Sequence, residues 1–162
     1  MIELVKSFVT KSLGFLLPWV MRKLYPEEKL KNMMDVMISS EYEAVTINCQ
    51  NPPSARVCLE VTNRSPFTVK ITGVECEIEW AGTIAKLVSI KHEELSPNAK
   101  IQIFLRAPIG GRQADFVLSR MENMKPRIIT EVHSATNFSM YTKLKDAETT
   151  SFRVLGSSAV PA

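Results

Sequence analysis

The sequence predicts a mainly β protein: an antiparallel β-sandwich of about seven strands with one short late helix, preceded by two N-terminal α-helices. Three observations carry this reading. Val57, Leu59 and Val61, then Val69 and Ile71, then Val74, Cys76, Ile78 and Trp80 alternate with polar residues, the period-two signature of strands packed on one face. From Glu43 onward, short alternating runs are separated by turn clusters such as Asn51-Pro52-Pro53-Ser54 and Ser96-Pro97-Asn98. Helical spacing of apolar residues is confined to the first 40 residues and one late segment. The expected organisation is a helical arm over 1–40 and a sandwich domain over 41–162.

In the arm, Leu4, Val5, Phe8 and Val9 fall on one side of a helical wheel, and Glu3, Lys6, Ser7, Thr10 and Lys11 on the other. Leu13, Phe15, Leu16, Trp19 and Val20 belong to a segment that is apolar almost all round, closed by Arg22 and Lys23. A transmembrane helix is a strained reading. The uncharged run between Lys11 and Arg22 is 10 residues, roughly 15 Å of helix against a hydrocarbon core of about 30 Å. Pro18 interrupts it as well. A cleaved signal peptide would need a small-residue site, and the residues that follow are Tyr25-Pro26-Glu27-Glu28, so the arm is expected to be retained. The third reading is a helix lying in the membrane interface, with Trp19 and Tyr25 at headgroup depth and the cations toward anionic lipid. The same apolar flank could instead be covered by the protein's own body or by a partner chain.

After Pro26, a natural first-turn residue, Leu30, Met33, Met34, Met37 and Ile38 recur at helical spacing and predict a second helix over 27–40. Met33, Met34 and Met37 read as core filler or as an adaptable contact for lipid or a partner. The body then supplies strands at Ala44–Cys49, within Arg56–Trp80, and at Thr83–Lys91, Lys100–Arg106, Pro126–His133, Phe138–Lys145 and Thr150–Leu155. A helix is expected over Gln113–Glu122, with Phe116, Val117, Met121 and Met124 turned inward.

The net charge of +3 is localised. Residues 1–31 hold six Lys/Arg against three Glu, and the rest hold 14 of each sign, so the excess sits in the arm. A basic, largely apolar arm suits an anionic membrane better than nucleic acid. Three cysteines, Cys49, Cys58 and Cys76, cannot form a complete disulfide set, and no C-x-x-C pair occurs. Cys49 and Cys76 fall in phase with core residues, which points to a reducing compartment. Asn63-Arg64-Ser65 and Asn137-Phe138-Ser139 fit the glycosylation tripeptide but carry weight only if the chain is exported.

No constellation for catalysis is visible. There is no G-x-S-x-G elbow, phosphate loop or H-E-x-x-H, and His92 and His133 lack metal-ligand spacing. His92-Glu93-Glu94 reads as a solvated loop, and Gly110-Gly111-Arg112 as a turn. Glu75, Glu77 and Glu79 line one strand face, as contacts for Lys70, for arginines of the next strand, or for a basic partner.

Val61-Thr62-Asn63-Arg64-Ser65-Pro66-Phe67-Thr68-Val69, followed by an alternating strand ending in Trp80, a Gly and another strand, resembles the late-embryogenesis-abundant group 2 family, the water-stress and hypersensitive-response domain. The resemblance covers roughly residues 43–155. It implies an immunoglobulin-like sandwich of about seven strands with one helix, often tethered at membranes by an N-terminal hydrophobic segment and linked in several members to lipid binding or stress tolerance, with no catalytic residues. The function expected is therefore a non-enzymatic, membrane-associated accessory protein without cofactor or metal. Its arm would contact anionic headgroups or a protein partner in a complex, with the body on the cytosolic side. The alternative is a scaffold subunit whose helices bury against partner chains.

Overall fold

The computed structural model describes residues 17–40, 43–80, 82–90, 92–119, 125–149 and 152–156. Helical backbone over 17–24 (α1) and Glu27–Asn32 (α2) leads into ten strands, β1 Met34–Ile38, β2 Val45–Asn48, β3 Ser54–Asn63, β4 Val69–Trp80, β5 Thr83–Ser89, β6 Glu93–Leu95, β7 Lys100–Pro108, β8 Arg127–Ala135, β9 Met140–Glu148 and β10 Phe152–Leu155, with α3 Gly111–Ser119 between β7 and β8. Ten described strands replace the seven expected.

They form two five-stranded sheets. In sheet A, β3 pairs along one edge with β7 and along the other with β2 (through Val57) and β1 (from Leu59), while β10 runs parallel to β2. In sheet B, β4 pairs along one edge with β8 and along the other with β5 and β6, and β9 lies beyond β8. The alternating residues of Arg56–Trp80 thus supply the inner strand of each sheet. Val57, Leu59 and Val61 of β3 are buried in one core cluster with Val74, Ile78 and Trp80 of β4, Ile103 and Leu105 of β7, and Ile128 and Val132 of β8. This is a β-sandwich-like arrangement.

β4 changes phase midway. Its buried set moves from Val69 and Ile71 to Val74, Cys76, Ile78 and Trp80, and the β8 register shifts between Ile71 and Gly73. One extra residue, a β-bulge, keeps both apolar sets on the inner face. Trp80 pairs with Thr83 across a two-residue hairpin, where Gly82 takes φ +83°, a value that suits glycine.

The second helix expected over 27–40 stops at Asn32. Met34 and Val36 are also two residues apart, and β3 offers a free edge over Leu59–Asn63, so strand pairing overrides the helical spacing. β1 is thereby a strand of sheet A on the N-terminal side of the boundary expected at residue 40. His92-Glu93-Glu94, expected as a loop, leads into β6, which covers Val69–Ile71. In α3, Ala114 and Val117 are buried and Phe116 packs partly against the core; Met121 and Met124 lie outside the described residues.

Candidate functional site

Three segments meet at one end of the sandwich: α1, the β3–β4 turn and the β8–β9 turn. The β3–β4 turn is fixed from inside by Asn63, 1% exposed. Its side-chain amide donates to the carbonyls of Phe67 (2.7 Å), Leu95 (2.9 Å) and Ser96 (3.2 Å), and its Oδ1 accepts from the Ser65 amide (2.9 Å) and hydroxyl (2.7 Å). Asn-Arg-Ser at this position is therefore a buried turn lock, because every polar atom of the asparagine is committed to the chain. Thr136 organises the other turn, where its Oγ1 accepts from the amides of Phe138 (3.4 Å) and Ser139 (3.1 Å).

These turns present Phe67 and Phe138 to the end of α1. Tyr25 stands edge-on to Phe67 at 4.7 Å, and Phe67 edge-on to Phe138 at 5.1 Å, the arrangement that ring quadrupoles favour. Met21 packs partly against the core, and Arg22 Nε donates to the Phe138 carbonyl. An open cleft of about 730 Å³ lies on the Arg22–Tyr25 side of Phe138, and a more apolar one of about 400 Å³ on the Leu17–Met21 side.

Docked in this way, α1 turns much of its apolar surface outward. Leu17 is 60% exposed, Trp19 56%, Val20 39% and Leu24 57%, and Met140 at the start of β9 is 75% exposed. Lys23 Nζ lies 4.1 Å from the Trp19 ring centre, and Lys29 Nζ 4.4 Å from that of Tyr25. Arg22 and Lys23 are exposed among these residues. On α2, Glu27 lines the cleft beside Arg22, and Glu28 is held by Lys31 at 2.8 Å, which lowers its carboxyl pKa and raises that of the lysine.

Of the residues singled out from sequence, Trp19, Val20, Arg22 and Lys23 come together here. Leu4, Val5, Phe8, Val9, Leu13, Phe15 and Leu16 lie outside the described residues. The methionines separate, because a strand sends neighbours to opposite faces. Met34 is buried in the core and has no surface for a partner; Met33 is half-buried, and Met37 is exposed on the outer face of sheet A. Sequence reasoning missed Phe67 and Phe138, each within or next to an Asn-x-Ser tripeptide at a strand end.

Elsewhere, Glu75, Glu77 and Glu79 face His133 (3.5 Å), Lys86 and Arg127 (3.6 Å), rather than Lys70. His133 Nδ1 also meets Thr142 Oγ1 at 3.0 Å. Burial pushes the Cys76 thiol up to about 11, although Thr130 donates to its sulfur at 3.8 Å. Among the described residues no group of three or more His, Cys, Asp or Glu is arranged to hold a metal ion, and no helix is long and apolar enough to cross a membrane.

No protein-family model matches the chain, and no curated protein sequence matches it. Solved structures do. A structural-genomics target solved by X-ray is 11% identical, with 82% of this chain and 94% of that one covered and a TM-score of 0.49. A protein from Archaeoglobus fulgidus is 13% identical, with 72% and 91% covered and a TM-score of 0.48. A protein described as late embryogenesis abundant, solved in solution, is 14% identical, with 92% and 85% covered and a TM-score of 0.42.

Proposed function

We propose that this chain is a non-enzymatic accessory protein of a membrane surface, an immunoglobulin-like sandwich held at anionic lipid by its N-terminal segment with the body on the cytosolic side. The observation that carries this reading is the division of labour in α1. Met21, Arg22 and Tyr25 fasten it to the sandwich, while Trp19, Val20 and Leu24 point away from the body beside Lys23. An amphipathic aromatic, aliphatic side chains and a cation on one exposed flank are what an interfacial helix needs. Each cation adds about 1 kcal/mol near an anionic surface, and each aliphatic side chain up to about 1.5–3 kcal/mol if fully buried. The resemblance of Val61–Val69 to the late-embryogenesis-abundant group 2 family supports both the immunoglobulin-like topology and the absence of catalysis.

The test is flotation of the full chain with phosphatidylcholine vesicles, with and without phosphatidylglycerol. Truncation at Glu41 is unsuitable, because it removes β1 from sheet A. The comparison is instead a Trp19→Ser, Val20→Ser, Leu24→Ser variant. The full chain is expected to float with the anionic vesicles and the variant to lose at least tenfold in bound fraction. A full chain that stays at the bottom with both lipids overturns the reading and leaves a partner chain as the cover for α1.

A further inference from the structure

The two outer faces of the sandwich carry like-charged pairs of opposite sign. On sheet A, Arg56 of β3 stands directly opposite Arg106 of β7, and both are exposed. The carboxylates around them are already engaged: Glu60 with Lys100 (2.6 Å), Asp35 with Arg64 (2.8 Å) and Glu43 with Arg153 (2.6 Å). Among the described residues neither Arg56 nor Arg106 has a carboxylate at ion-pair distance. Arg56 lies 5.0 Å over the ring of Phe104, itself 45% exposed, and Arg106 reaches only the Ser54 hydroxyl at 3.4 Å.

On sheet B, Glu75 of β4 stands directly opposite Glu131 of β8. The cations of that face are taken by neighbours: Lys86 by Glu77, and Arg127 by Glu79 and Asp146. His133 lies 3.5 Å from Glu75 and offsets it only when protonated. The row continues outward to Val88 opposite Glu75 and Leu144 opposite Glu131, 60% and 58% exposed. Like charges directly opposite on paired strands destabilise a sheet. Both pairs include β3 or β4, which are bonded on both edges and cannot splay to relieve them.

We propose that the chain associates head to tail with a second copy of itself, the Glu75/Glu131 pair of one copy seating on the Arg56/Arg106 pair of the next. Directly opposed residues in antiparallel strands share one spacing, about 4.5–5.5 Å between Cα atoms, so two guanidinium groups meet two carboxylates one to one. Val88 and Leu144 extend the acidic row on either side, and Phe104, two residues along β7 from Arg106, adds apolar surface to the basic face. Lipid is the weaker occupant of the arginine pair. Arg56 is seven residues along β3 from Asn63, roughly 23 Å from the end that α1 occupies. A face about four strands wide and eight residues long gives roughly 500 Å² per copy, the small end of specific interfaces. The association is therefore weak and sensitive to salt. Because the two surfaces differ, the contact does not close on a two-fold axis and propagates into short stacks.

Sedimentation velocity of the full chain over a hundredfold concentration range, at low and high salt, tests this. Average mass is expected to rise with concentration at low salt and return to one chain at high salt. An Arg56→Glu, Arg106→Glu variant and a Glu75→Arg, Glu131→Arg variant keep each pair like-charged, so their intrachain repulsion is unchanged, and near-ultraviolet circular dichroism checks the fold. Each is expected to stay a single chain alone, and an equal mixture to regain the association. A wild-type chain that is monomeric throughout at low salt overturns the proposal. So does association that survives both reversals, which would belong to the apolar arm, and so does a mixture that fails to recover. If the Arg56→Glu, Arg106→Glu variant loses anionic-vesicle binding while the wild type is monomeric, the pair is a lipid contact and the proposal is likewise overturned.

Discussion

Arg22 donates its Nε hydrogen to the main-chain carbonyl of Phe138, a residue 116 positions later in the chain. That bond ties α1 to the β8–β9 turn, beside the stack in which Phe67 stands between Tyr25 and Phe138. The helix is thus held at a fixed end of the sandwich, and the residues it leaves uncovered follow from that attachment.

Phe67 is the centre of the stack, so Phe67→Ala removes both edge-to-face contacts and part of the burial of Tyr25. A loss of about 2–3 kcal/mol is expected, below the value for a fully buried ring because Phe67 is partly exposed. Tryptic cleavage after Arg22 or Lys23 should accelerate in parallel. Urea unfolding and timed proteolysis check the two effects, and unchanged cleavage would mean that α1 is held by other contacts.

Asn63 bonds three carbonyls and accepts two further donors inside the sandwich. Asn63→Ala strands buried polar groups and is expected to cost about 2–4 kcal/mol. Asn63→Asp should be worse, because a carboxylate cannot donate to the carbonyls of Phe67, Leu95 and Ser96. Equilibrium denaturation measures both. A change below about 0.5 kcal/mol in the alanine variant, the range of ordinary surface substitutions, would contradict the lock.

The strand assignment of Met34–Ile38 gives opposite outcomes for two methionines. Met34→Glu places a carboxyl in the core and should destabilise by about 3 kcal/mol or more. Met37→Glu meets only the outer face, where Glu60 is its cross-strand neighbour, and should cost about 1 kcal/mol or less. A continued helix would put both on one stripe and penalise them alike.

Alkaline pH should weaken the fold. Burial raises the Cys76 thiol to about 11 and the Tyr141 hydroxyl to about 12 in the native state. Unfolded chains release these protons first, near about 8.5 and 10, so the unfolded state holds fewer protons and stability falls as pH rises. Their contribution is complete below about pH 8.5 and is lost as pH climbs toward the native values. Cys76 accounts for up to about 3 kcal/mol of the total loss. Urea midpoints between about pH 8 and 10.5 should decline and should flatten in Cys76→Ala; an identical slope in that variant would assign the loss elsewhere.

Strand content was legible where alternation ran uninterrupted: β3, β4, β7 and β8 fall where Val57–Val61, Val74–Trp80, Ile101–Leu105 and the Pro126–His133 run place them. β1 was hidden because Met34, Val36 and Ile38 satisfy two periods at once, and only the vacant edge of β3 decides between them. β6 was hidden by length, since three residues show no period and gain order only by pairing with Val69–Ile71. At the candidate site, Trp19, Val20, Arg22 and Lys23 could be named from composition. Phe67 and Phe138 could not, because what unites them with Tyr25 is a meeting of two turns distant in sequence.

Trp19 reports directly on the proposed contact between the exposed flank of α1 and an anionic membrane. In a Trp80→Phe variant Trp19 is the sole indole; Trp80 is buried and its Nε1 has no hydrogen-bond partner among the described residues, so the exchange breaks no bond. Trp19 emission is then followed as vesicles containing phosphatidylglycerol are added. A blue shift that saturates with lipid, is absent with phosphatidylcholine alone and is lost in Lys23→Glu is the expected result. Emission that stays at the wavelength of a water-exposed indole throughout the titration would contradict it.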